Sequence, residues 1–357
     1  MKTNLPLRRA LRSTLAALAA CAVAARVAAT TSVATEIQGV LTLAVPASTD
    51  TLVSPAFGRP AVWVGTAASS GATSITASGS PGWTANQFAP GTDTFFVRPL
   101  SGALSGHYFT IASNSATALT VDAAGLDLTT IQAGDQLEIS PYWTLGTLYP
   151  AVQAGTAFVV SASTLARQTE LLFYDPAGAG INRSPTETYF FFNSAWRRVG
   201  TSVATSFNGK VILPDSYFLQ RNKAAATTLI ATGRVFAAKL STIIETLPAA
   251  SQDNFAAVAF PMPTTLRNSG LITSGAFRSS PSALSRTDQL LFFDPAQTGT
   301  NRSPSSTFFF FNNGWRKVGS SVATDFSDTV TLTPGSGFIL RKSSGSAAVI
   351  WTFNTNL

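Results

Sequence analysis

A long internal repeat dominates the 357-residue sequence. Residues 171–213 return as residues 290–332 at an offset of 119 positions, and 27 of the 43 aligned residues are identical. The shared motifs are LLFxDPA, GxNRSP, TxFFFN and WRxVGxSVATxF. A repeat of this length indicates two copies of one structural unit that fold in the same way.

The composition of the repeat favours strands over helices. Phe, Trp, Thr and Gly are frequent in it, and charged residues make up only 11% of the whole chain, well below the usual quarter. Strands and turns expose Ser, Thr, Asn and Gly, whereas helices ordinarily expose Glu, Lys and Arg. The apolar runs 170–174 and 189–192 do not alternate with polar residues, so both of their faces must be buried. We predict an all-β protein with two homologous β-sandwich-like units.

The repeat also predicts a hairpin. Residues 312–314 (Asn-Asn-Gly) separate Phe311 from Trp315, and an Asn-Gly pair supplies the positive φ angles of a type I′ turn. The first copy has Asn-Ser-Ala at residues 193–195, which suits such a turn less well.

A second, weaker register predicts that the first copy is interrupted. Residues 34–60 resemble residues 231–263 at an offset near 200, and this alignment places Asp50 with Asp253. Because this offset exceeds the first by about 80 positions, the first copy must carry an insertion that the second lacks. The predicted domains are a signal peptide (1–29), β unit A (30–60 plus 144–232), an inserted β module (61–143) and β unit B (233–357).

The inserted module has the pattern of short strands throughout. Runs such as 74–78, 94–98 and 118–121 are rich in β-branched and aromatic residues, and Gly and Asn turns separate them. A small barrel is the simplest arrangement that hides the edges of so many short strands. We therefore predict a barrel-like module.

The N-terminus has the features of a secretory signal peptide. Four basic residues precede the apolar run 15–25, and small residues follow as far as Ala29. Five of the 24 Lys and Arg residues, but none of the 17 acidic residues, lie in residues 1–29, so the rest of the chain is nearly neutral. Nucleic acid is therefore not an expected partner, and no later segment is apolar over enough residues to form a transmembrane helix.

The only cysteine, Cys21, lies inside the predicted signal peptide, so no disulfide is expected after cleavage. Residues 18–21 also fit a bacterial lipobox, in which Cys21 would become the lipidated N-terminus. Two locations stay open. The protein is secreted or extracytoplasmic after cleavage near Ala29, or it is lipid-anchored to the envelope through Cys21.

Five segments carry a resemblance to a known group of proteins. They are VPASTDTLVSPAFGRP (45–60), GSPGWTANQF (79–88), YWTLGTLYP (142–150), GxNRSP and PGSGFILRK (334–342). In this order they resemble an uncharacterised family of secreted, duplicated β-rich proteins from Verrucomicrobia-type bacteria. The resemblance covers essentially the whole chain after the signal peptide. It implies export and a duplicated β-fold, and it implies no activity, cofactor or catalytic residue.

Candidates for catalysis are scarce. His107 is the only histidine, and no cysteine follows residue 29, so neither an ordinary zinc site nor a Ser-His-Asp triad is expected. Asp175 and Asp294 are repeated in both units, but each precedes Pro, which is typical of an Asp that caps a turn. We predict that the protein is not an enzyme and has no cofactor.

The loops 175–185 and 294–304 allow two interpretations. Asp, Asn and carbonyl oxygens in each loop are ligands that suit Ca²⁺ in an extracellular protein. The alternative is that Arg183 pairs with Asp175, and Arg302 with its counterpart, to close each loop.

Aromatic–basic pairs shared by both units are the candidate ligand-binding residues. Trp196-Arg197 and Trp315-Arg316 follow the predicted hairpin turn, and Arg221 and Arg341 end a neighbouring strand. A Trp ring with flanking guanidinium groups stacks on a sugar ring and pairs with its carboxylate or sulfate. The alternative is a Trp in the core with solvated basic neighbours.

Two functions follow from these patterns. The first is a secreted or cell-surface, non-enzymatic structural or adhesive β-repeat protein that associates with envelope or matrix components or with itself. The second is a carbohydrate-binding protein for acidic polysaccharide that uses the repeated residues Trp196, Arg197, Arg221, Trp315, Arg316 and Arg341.

Overall fold

The computed structural model describes residues 37–236, 239–258, 262–294, 296–345 and 347–353. These residues are nearly all β, with several sheets and one closed six-stranded barrel, which confirms the predicted fold class. The predicted signal peptide and Cys21 lie outside the described residues. None of the helices in the described ranges has the length and apolar character that crossing a bilayer requires.

Unit A supplies nine strands among the described residues, in two segments on either side of the barrel. They are β1 (Gln38–Val45), β2 (Thr49–Val53), β9 (Trp143–Thr144), β10 (Thr169–Phe173), β11 (Glu187–Phe192), β12 (Ala195–Arg198), β13 (Val211–Ile212), β14 (Phe218–Asn222) and β15 (Thr227–Arg234). Five of them form an antiparallel sheet in the order β12-β11-β10-β14-β2, and two further pairs are β1–β15 and β9–β13. Strand β15 runs to Arg234, past the boundary predicted at residue 232.

Unit B also supplies nine strands within the described ranges. They are β16 (Leu240–Ile244), β17 (Gln252–Ala257), β18 (Thr264–Thr265), β19 (Gln289–Phe292), β20 (Ser306–Phe311), β21 (Gly314–Lys317), β22 (Thr331–Leu332), β23 (Gly337–Lys342) and β24 (Val349–Phe353). The sheet order is β21-β20-β19-β23-β17, with the pairs β16–β24 and β18–β22. When the strands of each unit are counted in chain order, the two units have the same strand order.

Each unit has its own apolar core between the five-stranded sheet and the two strand pairs. In unit A, Phe191 and Phe218 of the sheet meet Leu229 of the β1–β15 pair. In unit B, Phe338 of the sheet contacts Trp351 of the β16–β24 pair, with ring centroids 5.6 Å apart. Burying each aromatic ring contributes roughly 1.5–3 kcal/mol, so the repeated Phe and Trp residues account for much of the stability of each unit.

The inserted module is a closed antiparallel barrel with the order β3-β4-β7-β6-β5-β8. Its strands are β3 (Trp63–Gly71), β4 (Ser74–Ala77), β5 (Phe95–Pro99), β6 (Phe109–Asn114), β7 (Ala118–Val121) and β8 (Gln136–Pro141). Alternate residues such as Ile75, Val97 and Leu137 fill the interior. On its outer face the carboxylate of Glu138 accepts hydrogen bonds of 2.7 Å from both terminal nitrogens of Arg234, which attach the barrel to unit A.

Helical structure in the described residues is short. One helical turn, α1 (Leu145–Leu148), is capped by reciprocal hydrogen bonds between Thr144 and Thr147. Two 3₁₀ turns span Leu128–Thr130 and Ala151–Gln153.

Candidate functional site

Neither repeated tryptophan reaches the surface. Trp196 and Trp315 are 0% and 1% exposed. Trp196 donates its indole N–H to the carbonyl oxygen of Tyr149 at 3.1 Å, and Trp315 packs against Phe277 and Phe310 with ring centroids 4.7 and 5.6 Å away. The prediction that these rings stack on a sugar is therefore wrong, because each Trp fills the core of its own unit.

The arginines beside the tryptophans bind the backbone of their own hairpins. Arg197 donates from Nε to the carbonyl oxygen of Phe192 at 3.2 Å and from Nη2 to that of Asn193 at 3.1 Å. Arg316 donates from Nη2 to the carbonyl oxygen of Asn312 at 3.4 Å. Both side chains are buried, so they offer no open charged surface to a polysaccharide.

Arg221 belongs to a contact between the two units, which we call the Asp50 clasp. Its guanidinium binds both carboxylate oxygens of Asp50, at 2.6 and 2.8 Å, and the side-chain oxygen of Asn301 in unit B at 2.7 Å. The backbone N–H of Asn301 donates to Asp50 at 2.7 Å, and Arg302 donates to the carbonyl oxygen of Asp50 at 2.9 Å. The Asp50 carboxylate therefore joins a strand of unit A to the GxNRSP loop of unit B.

The same contact occurs a second time with the roles of the units exchanged, as the Asp253 clasp. Arg341 binds the two carboxylate oxygens of Asp253 at 2.7 and 2.9 Å and the side-chain oxygen of Asn182 at 2.8 Å. Asn182 donates its backbone N–H to Asp253 at 2.8 Å, and Arg183 donates to the carbonyl oxygen of Asp253 at 2.9 Å. Arg221 and Arg341 are therefore bound within reciprocal clasps, and bidentate pairs of this kind are strong.

The two repeated loops have turn caps of the predicted kind. Asp175 and Asp294 each accept a hydrogen bond from the backbone N–H two residues later, at 3.0 and 2.9 Å. Arg183 donates to the carbonyl oxygen of Asp175 at 2.6 Å, and Arg302 to that of Asp294 at 2.8 Å. These are among the carbonyl oxygens that the calcium hypothesis requires as ligands. Because guanidinium groups already bind them, the geometry favours loop closure by Arg over a Ca²⁺ site. The predicted loop closure uses the carbonyl of each Asp and not its carboxylate.

A cleft of about 870 Å³ opens where the barrel, unit A and unit B meet. The barrel contributes His107, Tyr108 and Asp122, unit A contributes residues of its 173–183 and 210–217 segments, and unit B contributes residues of β16 and β17. Ligand sites occur preferentially at such junctions, in cavities of this size.

Asp215 lines the cleft and is partly buried. The phenol of Tyr108 donates to its carboxylate at 2.6 Å, which joins unit A to the barrel. Burial raises the pKa of Asp215, while hydrogen bonds from Tyr108 and Thr242 act in the opposite direction. Among the described residues no Lys or Arg forms an ion pair with this carboxylate, and the nearby Lys210 pairs with Glu187 instead.

Aromatic rings form one wall of the cleft. Tyr174 of unit A stacks on Phe255 of unit B with ring centroids 4.2 Å apart, and Tyr217 contacts Phe255 edge-on at 5.5 Å. Phe173, at the end of β10, also lines the cavity. The rings of Phe173, Tyr174 and Phe255 are partly buried. The Lys210 ammonium lies 5.5 Å from the centroid of Phe173, and the Arg183 guanidinium lies 4.6 Å from that of Phe255.

The two cations that line the cleft already have partners. Lys210 pairs with the carboxylate of Glu187, and Arg183 binds carbonyl oxygens of its loop and of Asp253. Two further carboxylates, Asp122 and Glu245, line the cleft. The cavity therefore offers carboxylates and aromatic rings without a free basic group among its described residues.

His107 is 6% exposed and packs parallel to Phe109, with ring centroids 6.5 Å apart. Burial and the positive charge of Lys239 lower its pKa, so the imidazole is neutral at pH 7. It forms part of the cleft wall beside the barrel.

Motif searching missed the cleft residues because they come from separate segments of the chain. One signal was available, namely the positions at which the two copies differ. Where unit A has Tyr174 and Asp215, unit B has Phe293 and Gly335, although the flanking residues are largely identical.

Comparison of the chain with known protein families, with curated proteins and with solved structures found no match. The functional conclusions below therefore stand on the sequence and on the geometry of the described residues.

Proposed function

We propose that the protein is a secreted or cell-surface structural protein without catalytic activity, which associates with itself or with envelope and matrix components. The observation that carries this proposal is the pair of reciprocal clasps. In each clasp an Asp that pairs with an Arg of its own unit also accepts a hydrogen bond from the GxNRSP loop of the other unit, Asn301 to Asp50 and Asn182 to Asp253. The repeated polar residues of the two clasps thus hold units A and B together.

An exposed strand pair supports association. In β1–β15, Val40 and Ile230 are 70% and 46% exposed on the outer face, and β1 has no second neighbour among the described strands. In unit B the equivalent strand, β16, contacts the barrel, where Ser241 donates its backbone N–H to the carbonyl oxygen of Gly106 at 3.0 Å. Exposed edges and apolar faces of this kind pair with further chains.

Light scattering over a wide concentration range tests this function. We expect the exported chain to associate as its concentration rises, and Val40→Lys to abolish that association because a charge would be buried in the contact. Val152→Lys is the matched control, since Val152 is 88% exposed but lies outside the strand pair. A chain that stays monomeric, and that isolated cell envelopes do not retain, would contradict the proposal.

The location is tested by intact-mass measurement of the exported protein. A mass that begins after Ala29 assigns secretion, and a fatty-acylated Cys21 assigns a lipid anchor. A full-length, cytoplasmic product would contradict both forms of the proposal.

Recognition of acidic polysaccharide, the second function considered from the sequence, is not proposed. The two Trp rings that it requires are buried, and its arginines bind protein groups.

A further inference from the structure

Asp215, the carboxylate at one corner of the cleft, is present in one copy of the unit only. In unit A the segment Pro-Asp-Ser ends at Ser216, and in unit B the equivalent segment is Pro-Gly-Ser. Both are followed by a buried Phe, Phe218 or Phe338, on equivalent strands. Because unit B forms the same sheet with Gly335 at this place, the fold does not require a carboxylate there.

The surroundings of the two corners also differ. A β-carbon at Gly335 would lie 2.3 Å from a methyl carbon of Leu41, so the corner of unit B is filled by strand β1 of unit A. The corner of unit A holds Asp215 and opens into the cleft between the barrel and unit B. The chain therefore keeps an open space with a carboxylate on one side and closes the equivalent space on the other.

Asp215 is partly buried, and a carboxylate in that position is costly without a cationic partner, since it loses part of its hydration and no opposite charge of the described chain replaces it. Tyr108 and Thr242 offset part of this cost by hydrogen bonding to Asp215. A cationic ligand would supply the missing charge. The partly exposed ring of Tyr174 favours the same class of ligand, because aromatic faces attract cations, whereas Phe173 and Phe255 already have Lys210 and Arg183 over their rings.

We propose that this cleft is a binding site for an organic cation, a primary ammonium group on a carbon skeleton, with Asp215 as its ion-pair partner. The volume of about 870 Å³ suits a drug-sized molecule, so the skeleton fills the space along the aromatic wall. Asp122 and Glu245 add negative potential at the cleft without an ion-pair partner of their own in the described chain. This site is separate from the β1–β15 surface, so its test does not depend on the structural role proposed above.

Calorimetric titration of the exported chain tests the site with three probes. The amine probes are the trisaccharide of glucosamine and the N-acetylated, C-amidated tripeptide Gly-Lys-Gly, which represent an amino sugar and a lysine side chain. The third probe is the fully N-acetylated form of the trisaccharide, which keeps the skeleton but carries no charge. We expect at least one amine probe to bind, and acetylation to weaken binding by about tenfold or more.

Two variants assign the binding to the cleft. Asp215→Asn keeps the size and hydrogen bonding of the side chain and should weaken amine binding by about tenfold or more. Asp294→Asn changes a turn-capping carboxylate outside the cleft and should leave binding unchanged. The melting temperature of each variant shows that it is folded.

The outcomes separate cleanly. Binding of the glucosamine trisaccharide alone assigns an amino sugar, and binding of the tripeptide alone assigns a lysine side chain. The proposal is overturned if neither amine binds, if the acetylated sugar binds as tightly as the free amine, or if Asp215→Asn binds as tightly as the unaltered chain.

Discussion

A few charged side chains determine how the two units stay together. Asp253 is 0% exposed, and its carboxylate receives hydrogen bonds from Arg341 of its own unit and from Asn182 of the other. Because both donors are fixed by their own strands and loops, the carboxylate cannot be replaced by water without loss of several charge-assisted bonds.

Removal of this carboxylate should be among the most destabilising single changes. We expect Asp253→Ala to lower the free energy of unfolding by about 3–5 kcal/mol, because it removes a fully buried carboxylate and leaves the partly buried Arg341 with Asn182 as its remaining partner in the clasp. Urea unfolding measures the change. The matched control is Asp328→Ala, which breaks an ion pair with Arg267 on an exposed surface and should have little effect. An equally small effect of both substitutions would show that the clasp does not stabilise the protein.

Asp215 should give the protein a distinctive pH dependence. Burial raises its pKa above the ordinary value of 3.8, so it holds its proton to higher pH in the folded state than in the unfolded state. Its contribution to stability is therefore fully present below pH of about 4 and is lost as pH rises through the folded pKa.

Urea unfolding of the unaltered chain and of Asp215→Asn over a pH series checks this sign. The stability of the unaltered chain, relative to the variant, should fall as pH rises from about 4. Taking the difference cancels the contribution of His107, whose pKa burial lowers. A difference that rises with pH would mean that Asp215 has a cationic partner after all.

Individual strands followed the sequence pattern well, and the exceptions have local causes. The runs 74–78, 94–98 and 118–121 of β-branched and aromatic residues predict strands in the inserted module, and β4, β5 and β7 begin within one residue of them. Strand β3 was not predicted, because Trp63–Gly71 is rich in Ala, Ser and Gly. The turn α1 is too short to show a helical period, and only its threonine caps mark it.

The predicted hairpin turn is displaced by one residue. Asn312 and Asn313 have φ angles of 48° and 54°, and Gly314 begins β21 opposite Phe311. The type I′ turn thus uses Asn-Asn, since Asn tolerates positive φ better than most residues. In unit A the same place holds Ser194, with φ of 59°, where an ordinary side chain is strained.

Ser194→Gly should therefore stabilise the protein by about 1 kcal/mol, because glycine adopts this backbone conformation without a steric cost. Thermal unfolding of the single variant measures the gain. Asn313→Gly is the comparison in unit B and should gain less, since Asn already suits the turn. A loss of stability in Ser194→Gly would mean that the Ser side chain makes a contact that outweighs the strain.

At the scale of the whole molecule, the internal repeat was the most useful sequence signal. It led to the all-β fold class and to an alignment that pairs Asp50 with Asp253. The alignment could not show that these residues bind the other unit, because a repeat reports equivalence and not contact. The sequence left two alternatives open for the repeated Trp and Arg residues for a similar reason: strong hydrogen bonding and burial use the same residue types as ligand binding.

The clasps should make units A and B unfold together. We expect a single calorimetric transition for the unaltered chain, because each unit loses contacts when the other unfolds. In the double variant Asp50→Asn plus Asp253→Asn, both clasps are weakened and the transition should separate into more than one peak. Differential scanning calorimetry checks this outcome. A single transition in the double variant would show that the apolar contact between the units, including Leu52 and Tyr217, is sufficient for cooperativity.

The reciprocity of the clasps has a consequence for how such a molecule can change. In a homodimer with the same pairing, every substitution occurs twice, once on each side of the symmetry axis. When both halves belong to one polypeptide, a substitution or insertion affects a single side and the other side keeps the pairing intact. An asymmetric feature, such as the inserted barrel or the carboxylate of Asp215, can then be added to one unit without a matching change in the other.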